Sequence, residues 1–370
     1  MINMEPVLKR GYTAWDQALL PADEFTERVS NVRAAMRSAG LDALLVWGNQ
    51  YEYADFSYLA GMPTAGTLLL THEGDPSIFT GGGGRELPFQ RTLTWVGQLS
   101  SAGPMPGSTL KAALSDRSIS TGTVGLVGTH LLSAPAYANV TDSLEGYALR
   151  PFDAEFQRLR ASKRPREVTT VRTALRIASD AAEAAVNAFD SGATTTEAMV
   201  EAERTARVNR ARDIRILANV DSDDLRPFEG LSPARRTPLL LWIGVDYHGY
   251  WADVAVTSPA SNGSAPAPAD RAVAAMVNAA TPGAAAADVA GAGLAQLSTA
   301  AQTSAQDYGL GSGIGLALPD WPTIGVSSDA QLVDGGLLSL RALARDDNGV
   351  SFANVIVQVA AGGGRKLEPR

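Results

Sequence analysis

The chain of 370 residues contains no cysteine and only three histidines, His72, His130 and His248. The absence of cysteine excludes disulfide bonds, thiolate metal ligands and a cysteine nucleophile. Any bound metal would therefore need carboxylates or one of these imidazoles as ligands. Chemistry at a functional site has to come mainly from carboxylates, arginines and hydroxyl groups.

Long apolar runs and basic clusters are missing as well. No segment approaches the roughly 18 to 20 consecutive apolar residues that a membrane-spanning helix needs, and the first residues lack the basic-then-apolar order of a secretion signal. The formal net charge of -8 leaves no basic footprint for nucleic acid. We therefore expect a cytoplasmic protein with a small-molecule or peptide partner and with neither nucleic acid nor a membrane as partner.

The amino-terminal part has the pattern of an α/β domain. Apolar residues recur at helical spacing before Gly40, and the segment LDALLVWG that follows is typical of a buried strand. Further apolar runs at residues 67–71, 76–80 and 123–127 predict more strands, separated by glycine-rich turns. A helix that feeds a parallel sheet is expected, and the domain is placed at residues 1–157.

The carboxyl-terminal part, residues 158–370, has two successive helix-then-strand halves. A long amphipathic helix ends near Ser191, and a second helix starts at a capping box formed by Thr194 and Glu197. A strand hairpin is predicted around the turn at residues 247–249. Helices at 270–280 and 285–306 and strands up to residue 359 then repeat the order, which indicates an internal pseudo-repeat.

Several segments in this order resemble the pita-bread family of creatinase and the Xaa-Pro aminopeptidases, which is peptidase M24-like. In the second part the matching segments are LRASKRPREVTTVRTALRIASDAAEAA, GYWADVAVT, GSGIGLALPDWP and GGLLSLRALARDDNGVSFANVIVQV; in the first they are FTERVSNVRAAMRSAGLDALLV and YADFSYLAGM. The resemblance implies an α/β (α+β) fold, in which a creatinase-type domain precedes a pita-bread domain with a pseudo-two-fold α-β repeat.

The resemblance also implies where the family's five metal ligands would lie. Carried over one position at a time, they fall on Trp242, Asp253, Ser312, Arg341 and Ala353, and the accessory His-Glu pair falls on Pro319-Asp320. Two metal ions need deprotonated carboxylates and neutral imidazole, whereas an arginine adds a fixed positive charge. We therefore expect a degenerate, metal-free member without a cofactor.

The residues at these positions leave their roles open. By resemblance to creatinase, Asp253 is an anion for substrate binding or proton transfer, or else it only pairs with Arg341. Arg341 either binds a substrate carboxylate as a fork or neutralises Asp253. Ser312 either hydrogen-bonds the substrate or is a turn residue between glycines. The segment VDSDDLRPFEG, where the family's catalytic histidine should fall, has no histidine. Its possible replacements are Asp223, Asp224, Arg226 and Glu229, unless this is a solvated loop.

Six further residues are candidates for substrate contact. Trp242 in a former ligand position suggests an aromatic or flat ligand, and His248 in the hairpin turn is a weaker candidate than the cleft residues. The predicted substrate-binding set is Trp242, Trp321, Arg226, Tyr53, Phe56 and His248.

These observations lead to a functional hypothesis with two alternatives. The leading hypothesis is a metal-independent, creatinase-like enzyme that acts on a small polar amide, amidine or guanidino metabolite by acid/base and electrostatic catalysis. Hydrolysis is the default, with lyase, isomerase and cyclase chemistry open. The alternatives are a non-catalytic pseudo-peptidase that binds a ligand, and a metal-dependent Xaa-Pro aminopeptidase.

A homodimer is also expected, by resemblance. The segment YEYADFSYLAGM carries four aromatic residues, more than the core of one two-sided strand requires. One face of such a strand would be left for a partner, so that the amino-terminal domain of one chain forms one side of the active cleft of the other.

Overall fold

The computed structural model describes residues 14–84, 86–220, 222, 224–227, 232–259, 266–347 and 349–369. The chain divides into two compact units, Met1–Arg160 and Ala161–Arg370. The boundary falls between Arg160 and Ala161, three residues beyond the expected position. None of the helices in the described ranges combines the length and apolar character needed to cross a membrane.

The first unit contains a six-stranded mixed sheet with helices. Its helices are α1 (Ala22–Ala39), α2 (Ala54–Ala60), α3 (Glu86–Gln90), α4 (Gly107–Ser115), α5 (Ala134–Ser143) and α6 (Asp153–Ala161). Its strands are β1 (Ala43–Gly48), β2 (Gly66–Thr71), β3 (Ser77–Thr80), β4 (Gln98–Ser101), β5 (Gly122–Val127) and β6 (Tyr147–Pro151). The strand order is β4-β3-β2-β1-β5-β6.

Helix α1 and strand β1 form where the sequence pattern placed them. The apolar stripe of α1 is buried, and the helix ends at Gly40, which takes the left-handed conformation with φ 66° that favours glycine. The expectation of a parallel sheet is only partly met. Strand β1 pairs in parallel with β5 but antiparallel with β2.

The aromatic segment after β1 is a helix, and this corrects the expectation of a strand. Tyr53 precedes α2 and is buried, and Phe56 is fully buried on the helix. Phe56 fits there because Gly48 and Gly66 lack side chains: a Cβ atom on either would lie 2.6 or 2.5 Å from it. Residues three and four apart share one helix face, so these side chains join the core. Tyr53 and Phe56 are therefore not substrate-binding residues of an exposed surface.

The second unit contains two smaller sheets covered by helices. The helices are α7 (Pro165–Asp190), α8 (Thr195–Val208), α9 (Pro268–Ala279), α10 (Ala286–Leu294) and α11 (Thr299–Tyr308). The strands are β7 (Asp213–Ala218), β8 (Leu239–Tyr247), β9 (Tyr250–Ser258), β10 (Gly311–Gly313), β11 (Asp320–Thr323), β12 (Leu337–Asp346), β13 (Gly349–Gln358) and β14 (Arg365–Lys366). One sheet has the order β7-β8-β9 and the other β11-β10-β12-β13-β14.

The pseudo-repeat is visible in how helices cover the two sheets. Small residues on α7 and α8 pack with strand β8 in one core cluster, and those on α9, α10 and α11 pack with β12 in another. The capping box is present, since the Thr194 amide donates to Glu197 and the Glu197 amide donates to the Thr194 hydroxyl. The single helix expected at 285–306 is two helices, because Ser298 caps α11 by accepting from the Ala301 amide at 3.4 Å.

Candidate functional site

Trp242 and Asp253 point to the same side of the β8–β9 hairpin. The register pairs Trp242 with Ala255 and Gly244 with Asp253, and alternate residues of a strand share a face. The Trp242 indole Nε1 donates a 2.9 Å hydrogen bond to Asp253 Oδ2. Asp253 is the only carboxylate among the five positions that correspond to the family's metal ligands, and the indole is hydrogen-bonded to one of its two oxygens.

Arg341 reaches the same carboxylate from the other sheet. Its Nη1 lies 3.9 Å from Asp253 Oδ2, and its Nε donates to the Gly309 carbonyl at 3.3 Å. The Asp253 side chain is fully buried, whereas the Arg341 side chain keeps 20% of its surface exposed. The ion pair expected from the sequence is present, and the arginine is its accessible member.

Burial is the main influence on the Asp253 carboxyl. It raises the pKa of Asp253 above the ordinary value, while the Arg341 charge, the Ser339 hydroxyl and the Trp242 indole act in the opposite direction. The Ser339 hydroxyl is close enough to favour the carboxylate, yet Asp253 Oδ1 and Ser339 Oγ make no hydrogen bond of regular geometry with any described residue. One carboxylate oxygen is thus buried without a firm partner.

Ser312 lies on the same face as Ser339 and Arg341, because Ser312 pairs with Ser339 across β10 and β12. Its hydroxyl donates to the Gly313 carbonyl at 2.9 Å. Within the described residues, no imidazole or carboxylate hydrogen-bonds to this hydroxyl, so nothing there activates it as a nucleophile. The backbone is close here: a side chain at Gly311 would lie 2.3 Å from the Ser339 carbonyl oxygen.

The strand register corrects the position inferred on the last strand. Ala353 pairs with Ala342 and packs against the helix-covered core, on the opposite face from Arg341. Asn354 is the residue that pairs with Arg341. A one-residue shift moves a side chain to the other face of a sheet, so Asn354 rather than Ala353 is the β13 residue on the site face.

Asn354 also joins the two sheets at the site. Its Oδ1 accepts from the Ala255 amide at 2.6 Å, and its Nδ2 donates to the Asp253 carbonyl at 3.0 Å. Nearby, the Phe352 amide donates to the Thr257 hydroxyl at 2.8 Å. These hydrogen bonds connect β9 to β13 and hold the backbone of Asp253 next to β13.

A cavity of about 680 Å³ adjoins this polar cluster. Its walls are mainly apolar and come from α8, β7 and the loops after β7 and β10, and the charged members are Glu203, Arg215 and Arg341. The lining residues are Met199, Val200, Glu203, Ile214, Arg215, Ile216, Leu217, Leu225, Pro227, Trp242, Tyr308, Leu318, Pro319, Arg341 and Phe352. Trp242 and Arg341 face the cavity, and Asp253 lies behind them.

Two of the other predicted catalytic residues are not assembled with Asp253 and Arg341. Asp224 forms an ion pair with Arg345 at 3.3 Å on an exposed part of the surface, and it is not a cavity-lining residue. Its carboxylate therefore serves as a partner for a surface cation. Glu229 lies outside the described residues.

Three predicted substrate contacts lie away from the cavity wall. Trp321 is half-buried on strand β11, whose backbone packs against Gly313, and Arg226 is exposed and bridges Ala218 through its backbone. His248 has φ 52° in the turn of the β8–β9 hairpin. It lies six positions from Trp242, about 20 Å along an extended strand, and it is not among the residues that line the cavity.

Sequence reasoning missed Ser339, Asn354 and Tyr308. Ser339 precedes Arg341 by two positions in an otherwise apolar strand, so alternation alone places it on the same face. Asn354 required knowledge of the strand register. Tyr308 is brought to the site only by the fold: its hydroxyl oxygen accepts a hydrogen bond from the Leu225 amide at 3.0 Å and holds the loop beside the cavity.

The residues present do not fit a two-metal centre. At the compared positions the side chains are an indole, one carboxylate, a hydroxyl, a guanidinium and an alanine, with an asparagine next to the alanine. The described residues contain no group of three or more His, Asp or Glu side chains arranged to hold a metal ion. Dications need several deprotonated ligands, and the Arg341 charge lies where such an ion would compete for Asp253.

Comparison with protein families gives two matches along the chain. Residues 169–358, which are 190 of the 370 residues, match the metallopeptidase family M24, and residues 28–162 match the creatinase/prolidase N-terminal domain. A comparison with curated protein sequences finds no match.

Solved structures share the whole fold at low sequence identity. A dipeptidase from Mycobacterium ulcerans has a TM-score of 0.73 and 21% identity, covering 97% of this chain and 98% of its own. The prolidase from Pyrococcus horikoshii has a TM-score of 0.72 and 18% identity, covering 92% and 97%. The N-terminal domain of a FACT complex subunit from Cicer arietinum has a TM-score of 0.65 and 15% identity, covering 93% and 94%. At these identities the likeness establishes the fold.

Proposed function

The chain belongs to metallopeptidase family M24, and from that premise we propose that it is a metal-independent, creatinase-like enzyme acting on a small amide-containing metabolite, with hydrolysis as the default reaction. The observation that carries the proposal is the state of Asp253. Its Oδ2 accepts from the Trp242 indole and faces the Arg341 guanidinium at 3.9 Å. A metal ion at this carboxylate would have to displace both groups.

Arg341 supplies the electrostatic part of the proposed catalysis. Its guanidinium lines the cavity and is oriented by the Gly309 carbonyl and by Asp253. A fixed cation that faces a carbonyl oxygen stabilises the negative charge that develops there during acyl transfer. Asp253 does not line the cavity, so its role in this scheme is to position Arg341.

The same geometry favours the amide among the three substrate classes considered. A guanidino or amidine group is cationic and would meet the Arg341 charge before it reached the carboxylate behind it. An amide carbonyl is neutral and presents an oxygen to the guanidinium. Lyase, isomerase and cyclase reactions of an amide or acyl compound use the same stabilisation and stay within the proposal.

A second candidate function is a non-catalytic pseudo-peptidase that only binds its ligand. It is supported by Ser312, whose hydroxyl donates to the Gly313 carbonyl rather than facing a base. The largely apolar cavity wall also suits binding without turnover. A metal-dependent Xaa-Pro aminopeptidase is the third alternative, because solved relatives carry such names, but the donor set described above argues against it.

The test combines metal analysis with turnover. The purified protein should contain no stoichiometric zinc, manganese or cobalt, and a panel of small amides should be screened by mass spectrometry with and without EDTA. The enzyme hypothesis is supported if EDTA leaves turnover unchanged and Arg341→Gln reduces it by at least tenfold. Arg271→Gln, on the surface of α9, is the matched control and should leave turnover unchanged. Stoichiometric metal that activates the protein would overturn metal independence, and binding without turnover would favour the second candidate.

A cytoplasmic location and a homodimer complete the proposal. Both rest on the sequence and on the family resemblance. Fractionation of the native host and light scattering on the purified chain are the corresponding measurements.

A further inference from the structure

We propose that the cavity binds a monocarboxylate with an apolar or aromatic body, and that Arg341 receives the carboxylate as a fork. This inference rests on the proposed function in so far as a carboxylate is the product of the amide hydrolysis proposed for the same site: Arg341 faces the carbonyl oxygen of the amide and would then receive both oxygens of the acid. It does not depend on turnover, since a ligand of this class would bind whether or not it is converted.

The hydrogen-bonding state of Arg341 is the first argument. Its Nε donates a hydrogen bond to the Gly309 carbonyl. Its Nη1 lies 3.9 Å from Asp253 Oδ2, which is beyond hydrogen-bond distance. Neither terminal nitrogen makes a hydrogen bond with any residue in the described ranges. Arg341 lines the cavity with part of its surface exposed, so the two terminal nitrogens present the geometry that matches both oxygens of a carboxylate.

The incomplete neutralisation of Arg341 is the second argument. Among the residues that the structure describes, Asp253 is the acidic partner of Arg341, and it is shared with the Trp242 indole and lies behind the wall of the cavity. The acidic residue of the lining, Glu203, already faces Arg207 on its own helix at 3.8 Å. A ligand anion therefore meets a cation whose charge is only partly offset.

The cavity wall determines the rest of the ligand. Ile214 and Ile216 from β7 and Met199 and Val200 from α8 form an apolar side, and Trp242 with Phe352 forms an aromatic side next to Arg341. A volume of about 680 Å³ lies in the range of small-molecule sites, about 300 to 1,000 Å³. Largely apolar walls beside the Arg341 guanidinium favour an amphipathic molecule.

Arg215 is the competing cation, and its contacts argue against it as the anion receptor. Its guanidinium stacks over the Trp251 ring at 4.4 Å, and Nη1 donates to the Leu318 carbonyl at 3.0 Å. These contacts hold the loop after β10 against β7. Arg341 stacks on no aromatic ring of the described residues, and it lines the cavity together with Trp242 and Phe352.

The experiment compares the affinity of carboxylic acids with the affinity of the corresponding amides. Binding of 4-phenylbutanoic acid and decanoic acid would be compared by calorimetry with binding of the corresponding primary amides, which keep the shape and lose the charge. The acids should bind about tenfold or more tightly than the amides, because a charge-assisted fork exceeds a neutral hydrogen bond. Arg341→Lys should reduce that preference, and the double variant Arg341→Gln with Asp253→Asn, which leaves no buried charge unpaired, should abolish it.

Controls separate the possible failures. Arg271→Gln should leave the preference unchanged, and circular dichroism should confirm that each variant is folded. Equal binding of acids and amides by the wild type, or loss of the preference in Arg215→Gln rather than in the Arg341 variants, would overturn the inference. Neither result would bear on metal independence, which metal analysis tests separately.

Discussion

At the scale of single residues, the Asp253–Arg341 pair predicts an asymmetry in stability. Arg341→Met leaves a fully buried carboxylate without its cation, and breaking a buried pair in this way typically costs about 3 to 5 kcal/mol. Asp253→Asn should cost clearly less, because the guanidinium that remains is partly exposed to the cavity. Urea denaturation of both variants at neutral pH measures the difference.

The double variant Arg341→Met with Asp253→Asn is the control for this prediction. It removes both charges and should recover most of the loss caused by Arg341→Met. Equal costs for the two single variants would mean that both groups are hydrated to the same extent, contrary to the burial seen here.

The pH dependence of stability follows from the same carboxyl. Burial raises the pKa of Asp253 in the folded state, so the native chain holds this proton to higher pH than the unfolded chain does. The contribution of Asp253 to the free energy of unfolding is therefore fully present below the unfolded pKa of about 3.9. It decreases as the pH rises toward the higher pKa of the folded state. Asp253→Asn cannot ionise and should lack that fall.

The corresponding measurement is the difference in unfolding free energy between wild type and Asp253→Asn over a pH series. Other titrating groups are common to both proteins, so the difference isolates Asp253. It should shift in favour of the variant as the pH rises above about 4. A shift in favour of the wild type would show that the Arg341 charge outweighs burial.

At the scale of secondary structure, Asn354 predicts how the two sheets are held together. Asn354→Ala removes its hydrogen bonds to the Ala255 amide and the Asp253 carbonyl. Leaving buried backbone groups unsatisfied costs about 1 to 3 kcal/mol per group, so the unfolding free energy should fall by at least about 1 kcal/mol. Asn209→Ala, which removes a bond to the Thr205 carbonyl at the end of α8, is the matched control and should have a smaller effect.

Helices with strong local signals could be predicted from the sequence, whereas helix α2 and the division between α10 and α11 could not. The stripe of α1 and the capping box of α8 are local, so spacing and cap residues were enough. The aromatic residues of helix α2 have high strand propensity, so the local sequence predicts a strand, and the burial of Phe56 depends on Gly48 and Gly66 from other elements. The break at Ser298 was missed because the apolar pattern continues across it.

The candidate site shows the same division between local and tertiary information. Trp242, Asp253 and Arg341 could be placed by matching short motifs, and the structure brings them together. The position on β13 was off by one residue, because motif spacing does not report register and one residue changes the face. The cavity wall from α8 and β7 had no sequence signal, since its apolar residues resemble any core.

At the scale of the whole molecule, the homodimer stays a prediction. Fewer aromatic residues than expected from the sequence are exposed to form its interface. Of the aromatic residues in the segment after β1, Tyr53, Phe56 and Tyr58 are buried, and Tyr51 is 65% exposed. Tyr58 packs edge-on against Phe156 at 5.9 Å in its own unit. Tyr51 is thus the member of this group that is available to a second chain.

Light scattering should therefore report twice the chain mass of 38.7 kDa, and Tyr51→Glu should raise the dimer dissociation constant at least tenfold. The reason is that a carboxylate buried in an interface loses its hydration without gaining a partner. Tyr137→Glu is the matched control, because Tyr137 is 45% exposed on α5 of the same unit; it should leave dissociation unchanged. A monomer at micromolar concentration, or equal weakening by both variants, would contradict a dimer built on this segment, and the cleft would then have to be completed by its own chain.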